Sequence, residues 1–255
     1  MNLSIALFSL LMSLLTFNWN DEKISTVEII KNETDSIKPI EELNLTKAFV
    51  LGKFNYKTDS TFIKVNVQHA AKTVYLKKVV YAAFLEMHKA AQKDDIQLVI
   101  LSGTRNFDEQ KAIWERKWMT YSNLEPLQRA RKILEYSSMP SSSRHHWGTD
   151  LDLNSLSNSY FSSEKGKAIY DWLILNANDF GFYQVYTTKE KGRTGYNLEK
   201  WHWSYLPLAN QYLEFYNSNI TIDDINGFKG FEIAKELHII EDYVNGISQQ
   251  VKEYN

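Results

Sequence analysis

Two short histidine-containing segments, far apart in the chain, constrain the fold more than any other sequence feature. Residues 143–152 read SRHHWGTDLD and residues 199–203 read EKWHW. Hydrolytic zinc sites commonly take three ligands from histidine and carboxylate side chains and leave one position for water. His145, Asp152 and His202 offer two imidazoles and one carboxylate. The sequence therefore predicts a metal centre that forms only if the two segments fold together.

Glu199 lies three residues before His202 and is the candidate general base. From that position its carboxylate could take a proton from a water in the metal site and later donate it. In a straight strand, residues three apart point to opposite faces of the sheet. A turn or bulge at residues 200–201 is therefore expected if both side chains serve one site.

Arg105 follows an apolar run at residues 96–101 and the turn signal formed by Ser102 and Gly103. Functional side chains often lie on loops that leave a rigid element. A guanidinium group there could stabilise negative charge that develops on a carbonyl oxygen. The alternative is that Arg105 pairs with a surface acid.

Taken together, these motifs resemble the VanY-type zinc D-alanyl-D-alanine carboxypeptidases, whose fold is shared with hedgehog signalling domains. The family pattern S-x-H-x-x-G-x-A-x-D corresponds here to Ser143, His145, Gly148 and Asp152. The patterns E-x-W-H and S-G-x-R correspond to Glu199, Trp201 and His202, and to Ser102, Gly103 and Arg105. The resemblance extends over about residues 60–206, and it is specific because three motifs occur in the right order and spacing.

The resemblance implies a Zn²⁺ cofactor held by His145, Asp152 and His202, with Glu199 and Arg105 as catalytic residues. It further implies that the substrate is a peptidoglycan stem peptide that loses its terminal D-alanine. The substrate-binding residues that it implies are Ser143, Gln110 and Trp201. Among them, Ser143 would hold the terminal carboxylate and Gln110 would support the substrate pocket.

Asp150 departs from the family pattern, which usually has a small residue at this position. Residues two apart on a strand share a face, so Asp150 would lie beside Asp152. It is expected to be either an alternative ligand or an additional negative charge near the metal. His146, next to a ligand, is expected to point elsewhere, and most of the tryptophans are expected to lie in the core.

Two other functions on the same scaffold stay open at this stage. The first is an L,D-carboxypeptidase or endopeptidase on peptidoglycan, which would differ in the shape of the pocket. The second is a non-catalytic relative that binds a peptide or glycan. Glu199 favours an enzyme, because a protein that only binds would not need to keep its base.

Hydrophobic periodicity predicts an α+β fold with a mostly antiparallel sheet flanked by helices. The family resemblance implies that this fold is of the hedgehog/DD-peptidase type. The predicted helices cover residues 75–91, 108–119, 162–178 and 231–245, with one more starting near Pro126. The predicted strands cover residues 96–101, 149–153, 182–186 and 201–205.

The N-terminal residues 3–17 are continuously apolar, shorter than a membrane span and suited to an export signal. Residues 1–20 are therefore predicted to be a signal peptide or a membrane anchor, and residues 21–44 a polar tether. The catalytic domain is expected over residues 45–215 and a C-terminal helical extension over 216–255. This organisation predicts an exported protein, periplasmic or associated with the cell envelope of a bacterium.

Composition excludes several other classes. With 29 basic and 31 acidic side chains the net charge is −2, which argues against nucleic acid as a partner. The chain has no cysteine, so disulfides and thiolate ligands are excluded and any metal must be held by histidine or carboxylate.

Overall fold

Two antiparallel sheets and the helices around them form the part of the chain that the computed structural model describes, residues 45–190 and 192–254. The strands are Phe62–Lys64 (β1), Tyr75–Lys77 (β2), Ile100–Ser102 (β3), Asp150–Leu153 (β4), Phe182–Gln184 (β5) and His202–Tyr205 (β6). The helices are Lys47–Val50 (α1), Lys78–Lys93 (α2), Phe107–Thr120 (α3), Pro126–Ile133 (α4), Glu164–Asn176 (α5), Leu206–Asn219 (α6) and Gln249–Lys252 (α7).

The larger sheet has the strand order β3-β4-β6-β5, and each neighbouring pair is antiparallel. β1 and β2 form a separate antiparallel pair. The predicted α+β class with an antiparallel sheet is confirmed, and the four strands of the larger sheet correspond to the four predicted ones. The order places β4 and β6 at the centre of the sheet, side by side.

The core lies on one face of this sheet, against α2. Every third or fourth residue of α2 is buried, including Val80, Phe84 and Met87. They belong to one cluster of buried side chains with Leu151 and Leu153 of β4. All four residues of β4 are buried, so its alternate residues Asp150 and Asp152 are enclosed on the opposite face. β4 therefore separates an apolar face from a polar one.

Several predicted boundaries are shifted by a few residues. Residues 75–77 were expected to begin a helix, but they form β2, paired with Phe62–Lys64. The helix predicted over residues 162–178 is confirmed as α5, and the Ser163 hydroxyl caps it by accepting a hydrogen bond from the Gly166 amide. α4 begins at Pro126, as predicted.

The C-terminal part differs more from expectation. Helix α6 was not predicted, although its buried residues recur at intervals of three and four and a proline lies in its first turn. It runs through the predicted domain boundary at residues 215–216. The predicted helix over residues 231–245 is wrong, because a 3₁₀ turn, Phe231–Ile233, and a π-helical turn, Ile239–Val244, replace it. His238 between them has a positive φ of 48°, which interrupts a right-handed helix.

Residues 45–254 belong to one compact unit. Within the described residues, no helix has both the length and the apolar character that crossing a membrane requires. The predicted signal or anchor at residues 1–20 and the tether at residues 21–44 lie outside the described residues.

Gly148 offers a test of how tightly the segment just before β4 packs against β1. Its φ is +74°, and a Cβ atom there would lie 2.4 Å from Cε1 of the buried Phe62. Gly192 is a matched control, since its φ is +78° and a Cβ atom would meet nothing within 4 Å. We expect Gly192→Ala to lower the free energy of unfolding by about 1–2 kcal/mol through backbone strain. Gly148→Ala should lose a further 1–3 kcal/mol or so through overpacking.

Denaturant titration of both variants measures the difference. Equal losses at the two positions would contradict the packing that is described for Gly148.

Candidate metal centre and active site

The register of β4 and β6 builds the base of the site. Asp152 lies directly opposite His202, and Asp150 lies directly opposite Ser204. Directly opposed residues of an antiparallel pair share a face, and so do residues two apart on one strand. All four side chains therefore lie on the face of the sheet that is turned away from the core.

His145 reaches the same point from the 3₁₀ turn Arg144–Trp147, which directly precedes Gly148 and β4. Its Nδ1 donates a hydrogen bond to the Gly103 carbonyl oxygen at 2.8 Å. Its Nε2 is left facing Asp152, 3.3 Å from Oδ2. The backbone carbonyl thus fixes which nitrogen of His145 is free to bind a metal.

His202 presents its other ring nitrogen to the site. Its Nδ1 lies 3.2 Å from Asp152 Oδ1, and its Nε2 lies 2.8 Å from Asp150 Oδ2. One ligand atom each from His145, Asp152 and His202 lies within 4.8 Å of the others. The predicted ligands are therefore brought together, and two imidazole nitrogens and one carboxylate oxygen could hold a metal ion.

The predicted turn before β6 brings Glu199 close to the candidate ligands. Residues 200 and 201 form a turn before β6, and the His202 amide donates to the Glu199 carbonyl oxygen at 3.3 Å. Glu199 Oε2 lies 3.6 Å from His202 Nδ1, on the side of the ring where a metal would bind. Burial, opposed by the positive charge of His202 and assisted by the negative charge of Asp152, raises the pKa of the Glu199 carboxyl to about 8. In the metal-free protein Glu199 therefore holds a proton at neutral pH.

The two histidines differ electrostatically. Burial lowers the pKa of His145, and the positive charge of Arg105 lowers it further. Burial also disfavours the charged form of His202, but hydrogen bonds to Asp150 and Asp152 outweigh it and raise the pKa of His202 to about 9. Without a metal, His202 therefore carries a positive charge between the two carboxylates.

Arg105 lies beside the ligands, just before helix α3. Its Nη1 is 3.7 Å from Asp152 Oδ2 and donates a hydrogen bond to the Ser102 hydroxyl. Its Nε donates to Gln110 Oε1 at 3.0 Å, and Gln110 in turn donates to the Ser138 carbonyl oxygen. Gln110 is 1% exposed, so its visible role is to hold the Arg105 guanidinium in place.

A cavity of about 610 Å³ opens over these groups. Arg105, Gln110, Glu199, Trp201 and the three candidate ligands all line it. Its wall also contains residues that sequence reasoning missed, among them Lys117, Tyr136, Tyr186 and Tyr196. The Tyr136 ring lies 6.0 Å from the Trp201 ring, and together they form an aromatic wall. No motif marks these residues, because distant segments of the chain bring them to the cavity.

Two residues of the first motif lie away from the cavity. Ser143 is 1% exposed and does not line it, and its hydroxyl has no hydrogen-bond partner among the described residues. Substrate binding by Ser143 stays a prediction. His146 points away from the ligands, since its Nδ1 donates to the Arg105 carbonyl oxygen and its Nε2 accepts from the Ser141 amide.

The raised pKa of Glu199 has a consequence for stability. An unfolded glutamate ionises near 4.5 and the folded Glu199 near 8, so the folded state holds an extra proton between these values. The free energy of unfolding contributed by this group therefore falls as the pH rises through that window. In metal-free protein, Glu199→Gln should gain more than about 1 kcal/mol relative to wild type between about pH 5 and pH 8.5.

Denaturant unfolding at both pH values measures this gain, with the exposed Glu236→Gln as the control. A difference between wild type and Glu199→Gln that does not change with pH would contradict the assigned environment of Glu199.

Comparison with known sequences shows which protein family this chain resembles. The family model described as D-alanyl-D-alanine carboxypeptidase, VanY, matches residues 73–208, more than half of the chain. YodJ of Bacillus subtilis (strain 168), a relative named as a carboxypeptidase, is 31% identical over 134 residues, 52% of this chain and 46% of that protein. The D-alanyl-D-alanine carboxypeptidase of Enterococcus faecium is 25% identical over 182 residues, 71% of this chain and 52% of that protein. The match spans about half the length of these curated relatives.

Solved structures of similar proteins include VanYB in complex with D-alanine-D-alanine, at 20% identity and a TM-score of 0.47, covering 67% of this chain and 90% of that one. They also include the LD-carboxypeptidase LdcB, at 21% identity and a TM-score of 0.49, covering 75% of this chain and 81% of that one.

The segment that the family model matches contains the whole candidate site, from Arg105 through His145 and Asp152 to Glu199 and His202. It also contains the four strands of the larger sheet. The chain therefore belongs to the VanY D-alanyl-D-alanine carboxypeptidase family, a family of peptide hydrolases.

Proposed function

We propose that this protein is a zinc-dependent D,D-carboxypeptidase that removes the terminal D-alanine from peptidoglycan stem peptides. The observation that carries the proposal is the convergence of His145, Asp152 and His202 on one point, with Glu199 beside them, at the base of one cavity. A peptide hydrolase that uses a metal needs these ligands and a proton carrier within reach of the same water.

The donor set fits zinc. Two imidazole nitrogens and one carboxylate oxygen are a common set of protein ligands in hydrolytic zinc sites, and they leave a position open. His145 would bind through Nε2 and His202 through Nδ1, because the other nitrogen of each ring already donates a hydrogen bond. When bound, zinc supplies a Lewis acid that lowers the pKa of water and polarises the scissile carbonyl.

Glu199 would move the proton. Its carboxylate accepts a proton from the attacking water and then delivers it to the amine nitrogen of the departing D-alanine. Because Glu199 lies next to His202 Nδ1, its Oε2 is close to the proposed metal position. Burial raises the pKa of the Glu199 carboxyl and so makes the carboxylate a stronger base. A carboxyl group whose pKa lies nearer to neutral pH than that of an ordinary glutamate suits both halves of this transfer, because it is a stronger base than a free carboxylate and can still return the proton.

The positively charged side chains of the cavity would bind the negatively charged groups of the substrate. Lys72, Arg105, Arg116 and Lys117 line it, and Arg105 is held towards the ligands by Gln110. A carboxypeptidase must recognise the free carboxylate beside the bond that it cleaves, and a fixed guanidinium suits this task. Depending on how the peptide lies, Arg105 would bind that carboxylate or stabilise the developing oxyanion.

The substrate class also fits the proposed location. The stem peptides of peptidoglycan lie outside the cytoplasm, and the apolar residues 3–17 would act as an export signal or anchor. Export would bring the protein to the cell envelope, where its substrate is found.

A product assay tests the proposal. The full chain with zinc should convert a pentapeptide stem ending in D-Ala-D-Ala into a tetrapeptide plus one alanine, as measured by mass spectrometry. A tetrapeptide stem ending in a single D-alanine should stay intact. Cleavage of the tetrapeptide alone would replace the proposal with an L,D-carboxypeptidase, and an intact pentapeptide after long incubation would refute D,D-carboxypeptidase activity.

Two variants in the same assay separate the roles of base and ligand. Glu199→Ala should keep bound zinc and lose a factor of about 10²–10⁴ in turnover, the usual contribution of a general base. His202→Ala should lose the metal as well as the activity. Undiminished turnover by Glu199→Ala would show that another group is the base.

A further inference from the structure

Asp150 lies on the far side of His202 from the proposed metal position. We propose that Asp150, with Arg144 and Ser204, is a positioning residue that fixes the His202 ring so that Nδ1 faces the metal. The inference rests on the proposed metal centre. It adds a role for a residue at which this chain departs from the S-x-H-x-x-G-x-A-x-D pattern.

The contact is direct and fully enclosed. Asp150 is 0% exposed, and its Oδ2 accepts a hydrogen bond from His202 Nε2 at 2.8 Å. A neutral imidazole carries its proton on one nitrogen only, so a proton held on Nε2 leaves Nδ1 with its lone pair free. The carboxylate therefore selects the tautomer and the ring orientation that can bind the metal.

Asp150 is itself held rigidly by four donors. Its Oδ1 accepts hydrogen bonds from the Ser204 and Thr149 hydroxyls at 2.7 and 2.8 Å. Its Oδ2 also accepts from Arg144 Nε at 3.0 Å, and Arg144 Nη2 donates to the Ser204 hydroxyl at 2.8 Å. Because each oxygen already has two partners, the carboxylate cannot turn without losing several hydrogen bonds. The orientation of His202 is therefore determined by a rigid group.

Arg144 balances the charge of Asp150. The guanidinium is 1% exposed, so both charges of this ion pair lie out of solvent. An unpaired buried carboxylate would be costly, and the neighbouring Asp152 would add repulsion. Arg144 directly precedes the proposed ligand His145 in one 3₁₀ turn. That turn therefore supplies both a metal ligand and the counterion of Asp150, the residue that orients the other ligand, His202.

This arrangement decides between the two roles that the sequence left open for Asp150. It is not placed as a ligand, because it contacts Nε2 of His202 whereas Asp152 contacts Nδ1. The candidate ligand group consists of His145, Asp152 and His202 without it. Its negative charge is paired with Arg144 rather than directed at the metal.

The two ligand histidines are consequently supported in different ways. His145 donates from Nδ1 to a backbone carbonyl, whereas His202 donates from Nε2 to a carboxylate. Only the support of His202 can be removed by changing a side chain. His145 therefore serves as an internal reference in the same molecule.

Zinc affinity, measured by competition with a chelator on the full chain, tests the inference without any substrate. The double variant Arg144→Leu/Asp150→Leu removes both buried charges together, since removal of one would leave the other unpaired. Its zinc dissociation constant should rise about 10- to 100-fold, the usual effect of losing such a support. Thr149→Val is the matched control, because it removes one hydrogen bond to Asp150 Oδ1 and leaves the contact with His202.

Proton NMR of the zinc-loaded protein supplies a second readout that a purely structural role would not affect. Wild type should show hydrogen-bonded ring N–H resonances from His145 Nδ1 and His202 Nε2. In the double variant, the His202 resonance should disappear while that of His145 stays. A double variant that retains both resonances and binds zinc as tightly as Thr149→Val would overturn the inference.

If the double variant does not fold, Asp150→Asn tests the inference by the same two measurements. Its amide oxygen can still accept from His202 Nε2, so the zinc affinity should fall less than in the double variant and the His202 resonance should persist at a shifted position. An unchanged resonance with unchanged affinity would refute the role of the carboxylate. Failure of this inference leaves D-alanine release by wild type intact, whereas failure of the proposed function appears as uncleaved pentapeptide.

Discussion

The antiparallel pairing of β4 with β6 is the interaction on which the site depends. Its register places Asp152 opposite His202 and Asp150 opposite Ser204. A shift by one residue would turn every side chain of β4 to the other face, so that Leu151 and Leu153 would enter the site and both aspartates the core. Burial of these leucines against α2 therefore secures the arrangement of the polar side chains. The apolar core and the candidate metal centre are stabilised by the same strand pair.

Buried polar groups on the other face are organised around His202. Asp152 and Glu199 lie on the side of its Nδ1, and Asp150 lies on the side of its Nε2. In an environment of low dielectric constant, hydrogen bonds and charges of this kind act strongly but are costly when unpaired. Asp150 is paired in this way before a metal or a substrate binds, because Arg144 and Ser204 both donate hydrogen bonds to its carboxylate. Preorganisation of this kind is what electrostatic catalysis needs.

Much of this site could be predicted from the sequence because its motifs are local. The spacing from His145 to Asp152 and from Glu199 to His202 depends on a short turn and a strand, and the structure places these residues as that spacing suggested. The role of Asp150 could not be predicted, because it depends on which side of the His202 ring the carboxylate meets. The cavity wall formed by Tyr136 and Trp201 depends on the packing of distant segments. The π-helical turn Ile239–Val244 has no local pattern that distinguishes it from an α-helix.

X-ray absorption at the zinc edge tests the central claim most directly. The claim is that His145, Asp152 and His202 together hold one metal ion. For the full chain loaded with one equivalent of zinc, the account predicts two imidazole ligands and oxygen in the remaining positions, at about 2.0–2.2 Å. Both imidazole contributions should be lost in the variant that lacks His145 and His202. A zinc environment with no imidazole, or one unchanged in that variant, would contradict the claim.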